Sequence, residues 1–362
     1  MMQQWTAAKS QHPDAILFFR MGDFYELFGD DAVQASRVLE LTLTSRDKGK
    51  PNALPMAGVP HHALPGYLSR LIDAGFKVAV CDQLESPKEA KGIVKRGVTR
   101  VVTPGVVVDD VALEPGRNNY LMAVWPGLGG YGLAYTDVTT GELRGTLAPD
   151  ISVCLAEIGR VEPREVLMAP GIEEAISAAV RRAGAYHSEV AVESFDPGHA
   201  HASRAHRGAD CPEEVRRAVG ALGSYLDVTR PRGDIVLGAL SVYATRDHVI
   251  IDETSFRNLE VLQTLIGRRR KGSLLGMLDR TVTAMGARQL RRWLQRPLRS
   301  RAAIEERLEA VEELRDSALT RDDLRVLLGD VYDVERLGGR IVAGVATPKD
   351  LANLRSSMAG LG

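Results

Sequence analysis

The pattern of apolar and polar positions over residues 1–112 predicts a small mixed α/β domain. Three segments have the apolar, β-branched or aromatic character of strands, and they lie at 15–22, 76–84 and 98–108. Two segments repeat their apolar residues at helical spacing, and they lie at 23–41 and 64–75. The second of these helices ends at Gly75, which favours a C-cap there.

Residues 119–232 predict a second α/β unit, and a Pro/Gly-containing stretch at 114–119 predicts the linker before it. Its first strands are "NYLMAVW", "YGLAYTDVTT" and "GELRGTLA", and Thr140–Gly141 marks a tight turn between the last two. Helices and short strands then alternate at 151–161, 165–170 and 171–184.

Residues 233–362 have helical periodicity with little strand character. Predicted helices lie at 249–267, 283–298, 302–316 and 346–358. The last has Thr347 at the N-cap, Pro348 at N1 and Asp350 at N3. The pattern does not close into a finished helical domain, so we expect a truncated one. The predicted fold class is α/β multidomain with a mainly α-helical end.

Composition narrows the class of protein. A hydrophobic fraction of 44% and a charged fraction of 26% are those of a soluble globular protein. The three cysteines are far apart, and none has the spacing of a zinc site, which fits a reducing cytosol. The sequence has no apolar run of about 18 residues, so it predicts no membrane span. It also has no signal-peptide pattern at its start.

The net charge of −1 hides charged blocks. Residues 41–101 carry ten basic and five acidic side chains, and residues 264–301 carry eleven basic side chains against one acid. Residues 302–336 carry eleven acids and five arginines. Basic blocks of this size suit a polyanion such as nucleic acid, but solvated faces and salt bridges to the acidic helix explain them equally well.

The histidine- and glycine-rich stretch at 196–210 predicts a loop. Its three histidines raise the question of a metal site. The spacing has no helical or strand frame, so we expect no metal there.

The stretch "GDFYELF" at 22–28 has two interpretations. In the first, Gly22 allows a strand-to-helix turn, and Asp23 and Glu26 form a capping box. Tyr25 then starts a buried helical stripe, and Glu26 faces solvent. Periodicity alone favours a core position for Phe24, at the edge of that stripe.

In the second interpretation, Phe24 is a wedge for DNA. Opening a base step requires a flat apolar side chain at an exposed turn, and a group that hydrogen-bonds the displaced base. Phe24 and Glu26 could supply these two. Cationic side chains must then hold the phosphate backbone, and the candidates are Arg46, Lys48, Lys50, Lys77, Lys95 and Arg96.

The sequence resembles the bacterial mismatch-recognition family MutS. The family signature Gly-x-Phe-Tyr-Glu corresponds to Gly22-Asp23-Phe24-Tyr25-Glu26. Further similar segments are "PMAGVPHHAL", "VVTPGVVVDD", "YGLAYTDVTTGEL", "IDETSFRNLEVLQTL" and "GSLLGMLDRTVTAMGARQLRRWLQRPL". The resemblance spans nearly the whole chain.

This resemblance implies three domains: a mismatch-binding domain over 1–112, an RNase H-like connector over 113–232, and part of a helical lever/core domain over 233–362. The family's clamp and ATPase domains have no counterpart in this sequence. A Walker A loop requires Gly-x-x-x-x-Gly-Lys-Ser/Thr, and the segments 267–273 and 92–98 lack the lysine after the second glycine. We therefore expect no ATP hydrolysis and no cofactor in this chain, with ATP and Mg²⁺ expected only where the ATPase domain is present.

The resemblance also implies site residues and partners. Phe24 stacks on the mispaired base, Glu26 hydrogen-bonds the displaced base, Gly22 shapes the turn, and Tyr25 supports the core. The implied partners are mismatched double-stranded DNA, the repair protein MutL, and a second copy in the full-length form. The implied location is the bacterial cytoplasm, in association with the nucleoid.

Three alternatives remain open at this stage. An RNase H-like connector invites a two-metal nuclease site, for which Asp137 is a candidate, but no carboxylate cluster can be assembled around it. Residues 119–232 could instead be a scaffold that docks other repair proteins. The basic block 264–301 could bind DNA itself, although we favour pairing of its arginines with the acidic helix at 305–335.

Overall fold

A computed structural model describes residues 1–46, 53–85, 92–107, 113–199, 203, 211–229 and 237–360. These residues form two compact units. The first contains Met1–Leu113 together with residues 226–229, and the second contains Glu114–Tyr225 and the described residues from 237 onward.

The first unit is built on a six-stranded mixed sheet. Its strands are β1 (Ile16–Met21), β2 (Phe24–Phe28), β3 (Thr44–Arg46), β4 (Leu54–Pro60), β5 (Val78–Gln83) and β6 (Arg96–Val102). Their order is β3-β4-β2-β1-β5-β6, and only the β1–β5 pair is parallel. Strand β2 is therefore hydrogen-bonded on both sides, to β1 and to β4.

Helices cover both faces of this sheet. They are α1 (Met2–Gln11), α2 (Gly29–Leu39) and α3 (Leu64–Asp73). One core contains Phe18, Tyr25 and Leu27 from the sheet, packed with residues of α2 and α3. On the other face, Phe28 packs with Ala8 of α1. The predicted helix at 64–75 is confirmed, and Gly75 has the expected left-handed φ of 83°.

The helix predicted at 23–41 is wrong in its first part, because residues 24–28 form strand β2. A short run of apolar residues fits the strand period of 2 as well as the helical period of 3.6. Here the hydrogen-bonded pairing with β1 and β4 makes the segment a strand. Helix α2 begins only at Gly29, and the residue before it makes no side-chain cap hydrogen bond. The capping box expected from Asp23 and Glu26 therefore does not form.

The second unit has its own six-stranded sheet. Its strands are β7 (Tyr120–Gly127), β8 (Gly130–Asp137), β9 (Glu142–Ala148), β10 (Glu165–Met168), β11 (Tyr186–Glu189) and β12 (Ser241–Val242). Their order is β11-β10-β7-β8-β9-β12. Strands β7, β8 and β9 form an antiparallel meander, whereas the other three pair in parallel. The predicted turn at Thr140–Gly141 is confirmed, and Gly141 has a φ of 75°.

Helices make up most of the rest of the chain. They are α4 (Ile151–Val161), α5 (Glu174–Arg182), α6 (Glu213–Thr229), α7 (Glu253–Asn258), α8 (Leu274–Leu278), α9 (Ala284–Gln295), α10 (Arg301–Asp316), α11 (Ala318–Gly329), α12 (Val334–Val342) and α13 (Pro348–Ala359). The capping box predicted for the last helix is confirmed between Thr347 and Asp350. Of the helix predicted at 249–267, only Glu253–Asn258 is helical. Glu260, Gly267 and Arg268 there have positive φ, which no helix accommodates.

Candidate nucleic-acid interface

The turn before Phe24 is a two-residue β-hairpin loop. Met21 of β1 pairs with Phe24 of β2, so only Gly22 and Asp23 connect the strands. Gly22 has a φ of 58°, and a Cβ added there would meet nothing within 4 Å. Glycine is therefore required by the backbone conformation and not by packing.

Three hydrogen bonds fix this loop. Arg20 Nε donates to the Gly22 carbonyl at 2.5 Å, and the backbone N–H of His61 donates to the Asp23 carbonyl at 2.8 Å. Arg96 Nε in turn donates to the Arg20 carbonyl at 2.7 Å. Both carbonyls of the loop are thus satisfied, and the turn is held by side chains of β1 and β6 and by the backbone that follows β4.

Phe24 is 48% exposed, whereas Tyr25 is 4% exposed and Phe28 is 1% exposed. The interpretation from periodicity, which favoured a core position for Phe24, is wrong. Strand pairing turns Tyr25 and Leu27 to one face and Phe24 to the other, at the end of the sheet beyond the packed core. An aromatic side chain on a fixed turn is the geometry that a wedge requires.

Glu26 lies on the same face of the sheet as Phe24. The two residues are separated by one position on β2, and Glu26 pairs with Gly58 of β4 and with Phe19 of β1. Glu26 is partly exposed. A flat apolar side chain and a carboxylate therefore lie side by side at one end of the sheet.

Tyr25 anchors the strand from the opposite face. Its hydroxyl donates to Asp82 Oδ1 at 2.5 Å, and the Thr99 hydroxyl donates to Asp82 Oδ2 at 2.9 Å. Burial, followed by the hydrogen bond to Asp82, raises the pKa of Tyr25 to about 12. The Arg20 guanidinium lies 5.3 Å from the centre of the Tyr25 ring. This network was not found from the sequence, because nothing local links residues 57 positions apart.

The basic candidates do not all lie at this end of the sheet. Lys95 is exposed, and Arg96 begins β6 opposite Gln83, at the same end as the hairpin loop. Lys77 lies at the other end of β1 and pairs with Asp14 at 3.0 Å. Arg46 ends β3 opposite Leu54, away from Pro60, the β4 partner of Phe24. Lys48 and Lys50 lie outside the described residues.

The chain matches three domain families in order along its length. They are MutS domain I over residues 1–111, MutS domain II over 119–237 and MutS domain III over 254–361. The chain belongs to the MutS family.

Curated relatives agree with this assignment. The DNA mismatch repair protein MutS of Symbiobacterium thermophilum is 43% identical over 381 residues, which include all of this chain and 43% of the relative. The protein of the same name from Brevibacillus brevis is 45% identical over 359 residues, covering 99% of this chain and 41% of the relative. The protein of the same name from Myxococcus xanthus is 43% identical, covering 100% of this chain and 42% of the relative. The chain thus spans less than half the length of these relatives.

The arginine-rich block of this MutS-family chain pairs only in part with the acidic segment expected at 305–335. Arg288 is 2% exposed and binds both oxygens of Asp333, at 2.7 and 2.8 Å, as well as Glu335 at 2.6 Å. Three further arginines meet carboxylates of the 119–162 region: Arg291 with Glu162, Arg292 with Glu142, and Arg296 with Glu157. Pairing with the acidic segment 305–335 is confirmed for Arg288 and was wrong for Arg291, Arg292 and Arg296. Engaged in this way, they are poor candidates for a DNA surface.

Asp137 is a structural residue of a turn. It is fully buried, and its carboxylate accepts hydrogen bonds from Asn118, from the Asn119 backbone, and from the backbone and hydroxyl of Thr139. With four donors around it, the carboxylate has no lone pair directed at a metal ion. The geometry argues against the nuclease alternative.

The described part of the chain shows neither a metal-binding cluster nor a membrane-spanning helix. Among those residues, no group of three His, Cys, Asp or Glu could hold a metal ion. Most of the histidine-rich stretch at 196–210 lies outside the description. No described helix combines the length and apolar character needed to cross a bilayer.

Proposed function

We propose that this chain recognises and binds mismatched or looped double-stranded DNA in post-replicative mismatch repair. One observation carries the proposal: Phe24 is half exposed on a hydrogen-bonded hairpin, within the unit that matches MutS domain I. The names of the relatives agree, since each is called a DNA mismatch repair protein.

Phe24 enters the minor groove and stacks on one mispaired base. Unstacking costs a few kcal/mol per step, and less where pairing is already weak. A mismatch is also easier to kink, so the deformability of the duplex is read as binding energy. Gly22 allows the turn, and Tyr25 holds the strand from behind through Asp82.

Glu26 hydrogen-bonds the base that Phe24 displaces. Its neighbouring position on the same sheet face supports this role. A carboxylate near phosphates is repelled unless a mispaired base compensates it, so Glu26 also penalises ordinary duplex.

Cationic side chains supply affinity that depends on salt and not on sequence. The proposed set is Arg46, Lys48, Lys50, Lys77, Lys95 and Arg96. Lys95 and Arg96 have the strongest support, because they share the end of the sheet with the hairpin loop. Lys77 has the weakest, because it pairs with Asp14 at the other end.

The remaining expectations stay proposals. They are the division into mismatch-binding (1–112), connector (113–232) and lever/core (233–362) domains, docking to MutL, dimerisation of the full-length form, and a cytoplasmic, nucleoid-associated location. The strand order β11-β10-β7-β8-β9, with its meander and two parallel strands, supports an RNase H-like connector. We assign ATP binding and Mg²⁺ only to a full-length ATPase, since this sequence has no Walker A motif.

A second candidate function is a docking scaffold for repair proteins without autonomous DNA binding. Leu128, in the turn between β7 and β8, is fully exposed, as suits a contact for another protein. A pull-down with residues 119–232 alone tests this function separately.

The deciding experiment is binding to a labelled duplex with one G·T mismatch and to its matched control, at fixed moderate salt. A preference for the mismatch that disappears in Phe24→Ala supports the proposal. Equal affinity for both duplexes, unchanged by the substitution, contradicts it for this chain.

A further inference from the structure

The face of the sheet that carries Phe24 and Glu26 continues onto β4, where the opposing residue is Gly58. Gly58 pairs with Glu26, and the next residue of β4 on the same face, Pro60, pairs with Phe24. Gly58 is exposed. It therefore borders both side chains of the proposed site.

The fold does not require glycine at this position. Gly58 is not among the residues with positive φ. A Cβ added to it would lie 3.5 Å from the Tyr25 carbonyl oxygen, 3.8 Å from Glu26 Cγ and 3.9 Å from Phe24 Cδ1, which are ordinary contact distances. An alanine would therefore fit without any shift of its neighbours.

The other glycines in the described strands have a structural reason to be glycine. Gly132 and Gly145 have no room for a Cβ, because atoms of Glu214 and Val215 lie within 2.6 Å of its position. Gly97 and Gly127 are also crowded, and Gly130 has a φ of 124°. Among the strands that the structure describes, Gly58 alone has neither constraint.

Glycine within a strand lowers stability relative to alanine, because the unfolded chain has more conformational freedom there. In a strand that has room for a side chain, glycine is typical of a place where another molecule approaches the backbone closely. The missing Cβ would touch both Phe24 and Glu26, so the space it leaves adjoins the two groups that handle the mispaired base.

We infer that Gly58 is a specificity-determining residue, whose missing side chain keeps open the space beside Phe24 and Glu26 that the displaced base occupies. This inference rests on the proposed function. A side chain at position 58 would occupy the room of the base while leaving the sheet intact.

The test compares Gly58→Ala, Gly58→Val, Phe24→Ala and the unaltered chain. Gly66→Ala is the matched control, because a Cβ at Gly66 of α3 also fits without any shift of its neighbours but lies away from β2 and β4. Each variant is measured for thermal unfolding and for affinity to the G·T duplex and its matched control.

We expect both Gly58 variants to unfold at or above the temperature of the unaltered chain. Because the valine side chain would overlap the displaced base, Gly58→Val should lose about tenfold or more of its mismatch preference. Gly58→Ala should lose less, and Gly66→Ala should lose none.

The outcomes separate the inference from the function on which it rests. If Phe24→Ala abolishes the preference while folded Gly58→Ala and Gly58→Val both retain it, the role of Gly58 is refuted and the wedge stands. If Gly58→Val unfolds early, an undiminished preference in Gly58→Ala refutes the role. An unaltered chain without any mismatch preference removes the proposed function, and the inference about Gly58 falls with it.

Discussion

The Tyr25 hydroxyl donates a hydrogen bond of 2.5 Å to Asp82 Oδ1, which ties the strand that carries Phe24 to β5. Strand β1 lies between the two, so this bond spans a neighbouring strand. The side chain of Tyr25, which follows Phe24 in the sequence, is thereby fixed to a strand that is distant in sequence.

Tyr25→Phe should lower the free energy of unfolding by about 1–2 kcal/mol, because Asp82 loses a donor while the ring is kept. It should also change the pH dependence. The folded pKa of Tyr25 is raised to about 12, so its contribution is complete below pH 10 and is lost as the pH rises from 10 to 12. Unfolding by denaturant at several pH values measures both effects.

The effect of Tyr25 must be measured as the difference in unfolding free energy between Tyr25→Phe and the unaltered chain. Other tyrosines also have raised pKa values, so the stability of both proteins changes at high pH. Tyr120 and Tyr243 have raised pKa values, chiefly because they are buried. If Tyr25→Phe and the unaltered chain lose stability in parallel between pH 10 and 12, the hydrogen bond to Asp82 has no effect in solution.

Phe24→Ala and Phe28→Ala should separate binding from folding. Phe24 is 48% exposed, so its removal should cost about 1 kcal/mol or less of unfolding free energy. Phe28 is 1% exposed and packs edge-on against Trp5, so its removal should cost about 3–5 kcal/mol. A large loss of stability in Phe24→Ala would place Phe24 in the core after all.

Glu26→Gln should raise the affinity for matched duplex by about threefold or more, because a carboxylate near phosphates is removed. The effect should shrink as salt is added. Glu40→Gln is the control, since Glu40 is exposed at the end of α2 and loses the same charge. Equal gains in the two variants would mean that only net charge matters, and no gain for Glu26→Gln would exclude its role against ordinary duplex.

Arg288→Met should destabilise the second unit by about 3 kcal/mol, because it leaves Asp333 and Glu335 without their cation. Arg315→Met is the matched control, because Arg315 pairs only with exposed acids of its own helix and should have no measurable effect. Thermal unfolding compares the two. Similar values would show that the buried pair contributes no more than a surface pair.

Much of the fold follows from local pattern. The strand at 15–22, the helix at 64–75 and the meander from Tyr120 are confirmed, because each has one clear period and a turn residue at its end. Strand β2 was missed because "FYELF" is too short to distinguish the strand period of 2 from the helical period of 3.6. Gly22-Asp23 between apolar runs was the available signal for a hairpin.

The site was less predictable than the fold. The family signature proposes Phe24 and Glu26, but their common face follows only once residues 24–28 are known to form a strand, which so short a run does not settle. The partners of Arg288, Arg291 and Arg296 depend on contacts between residues 45 or more positions apart. A block of basic residues indicates how many acidic partners are needed, but it does not indicate which acids they are.

The position of β2 between two paired strands has a mechanical consequence. A side chain on a flexible loop would move when it contacts stacked bases, and the deformation of the loop would reduce the net binding free energy. Hydrogen bonds to β1 and β4 and the tether to Asp82 make the support of Phe24 stiff. In the proposed complex the softer of the two molecules would deform, and at a mismatch that is the DNA.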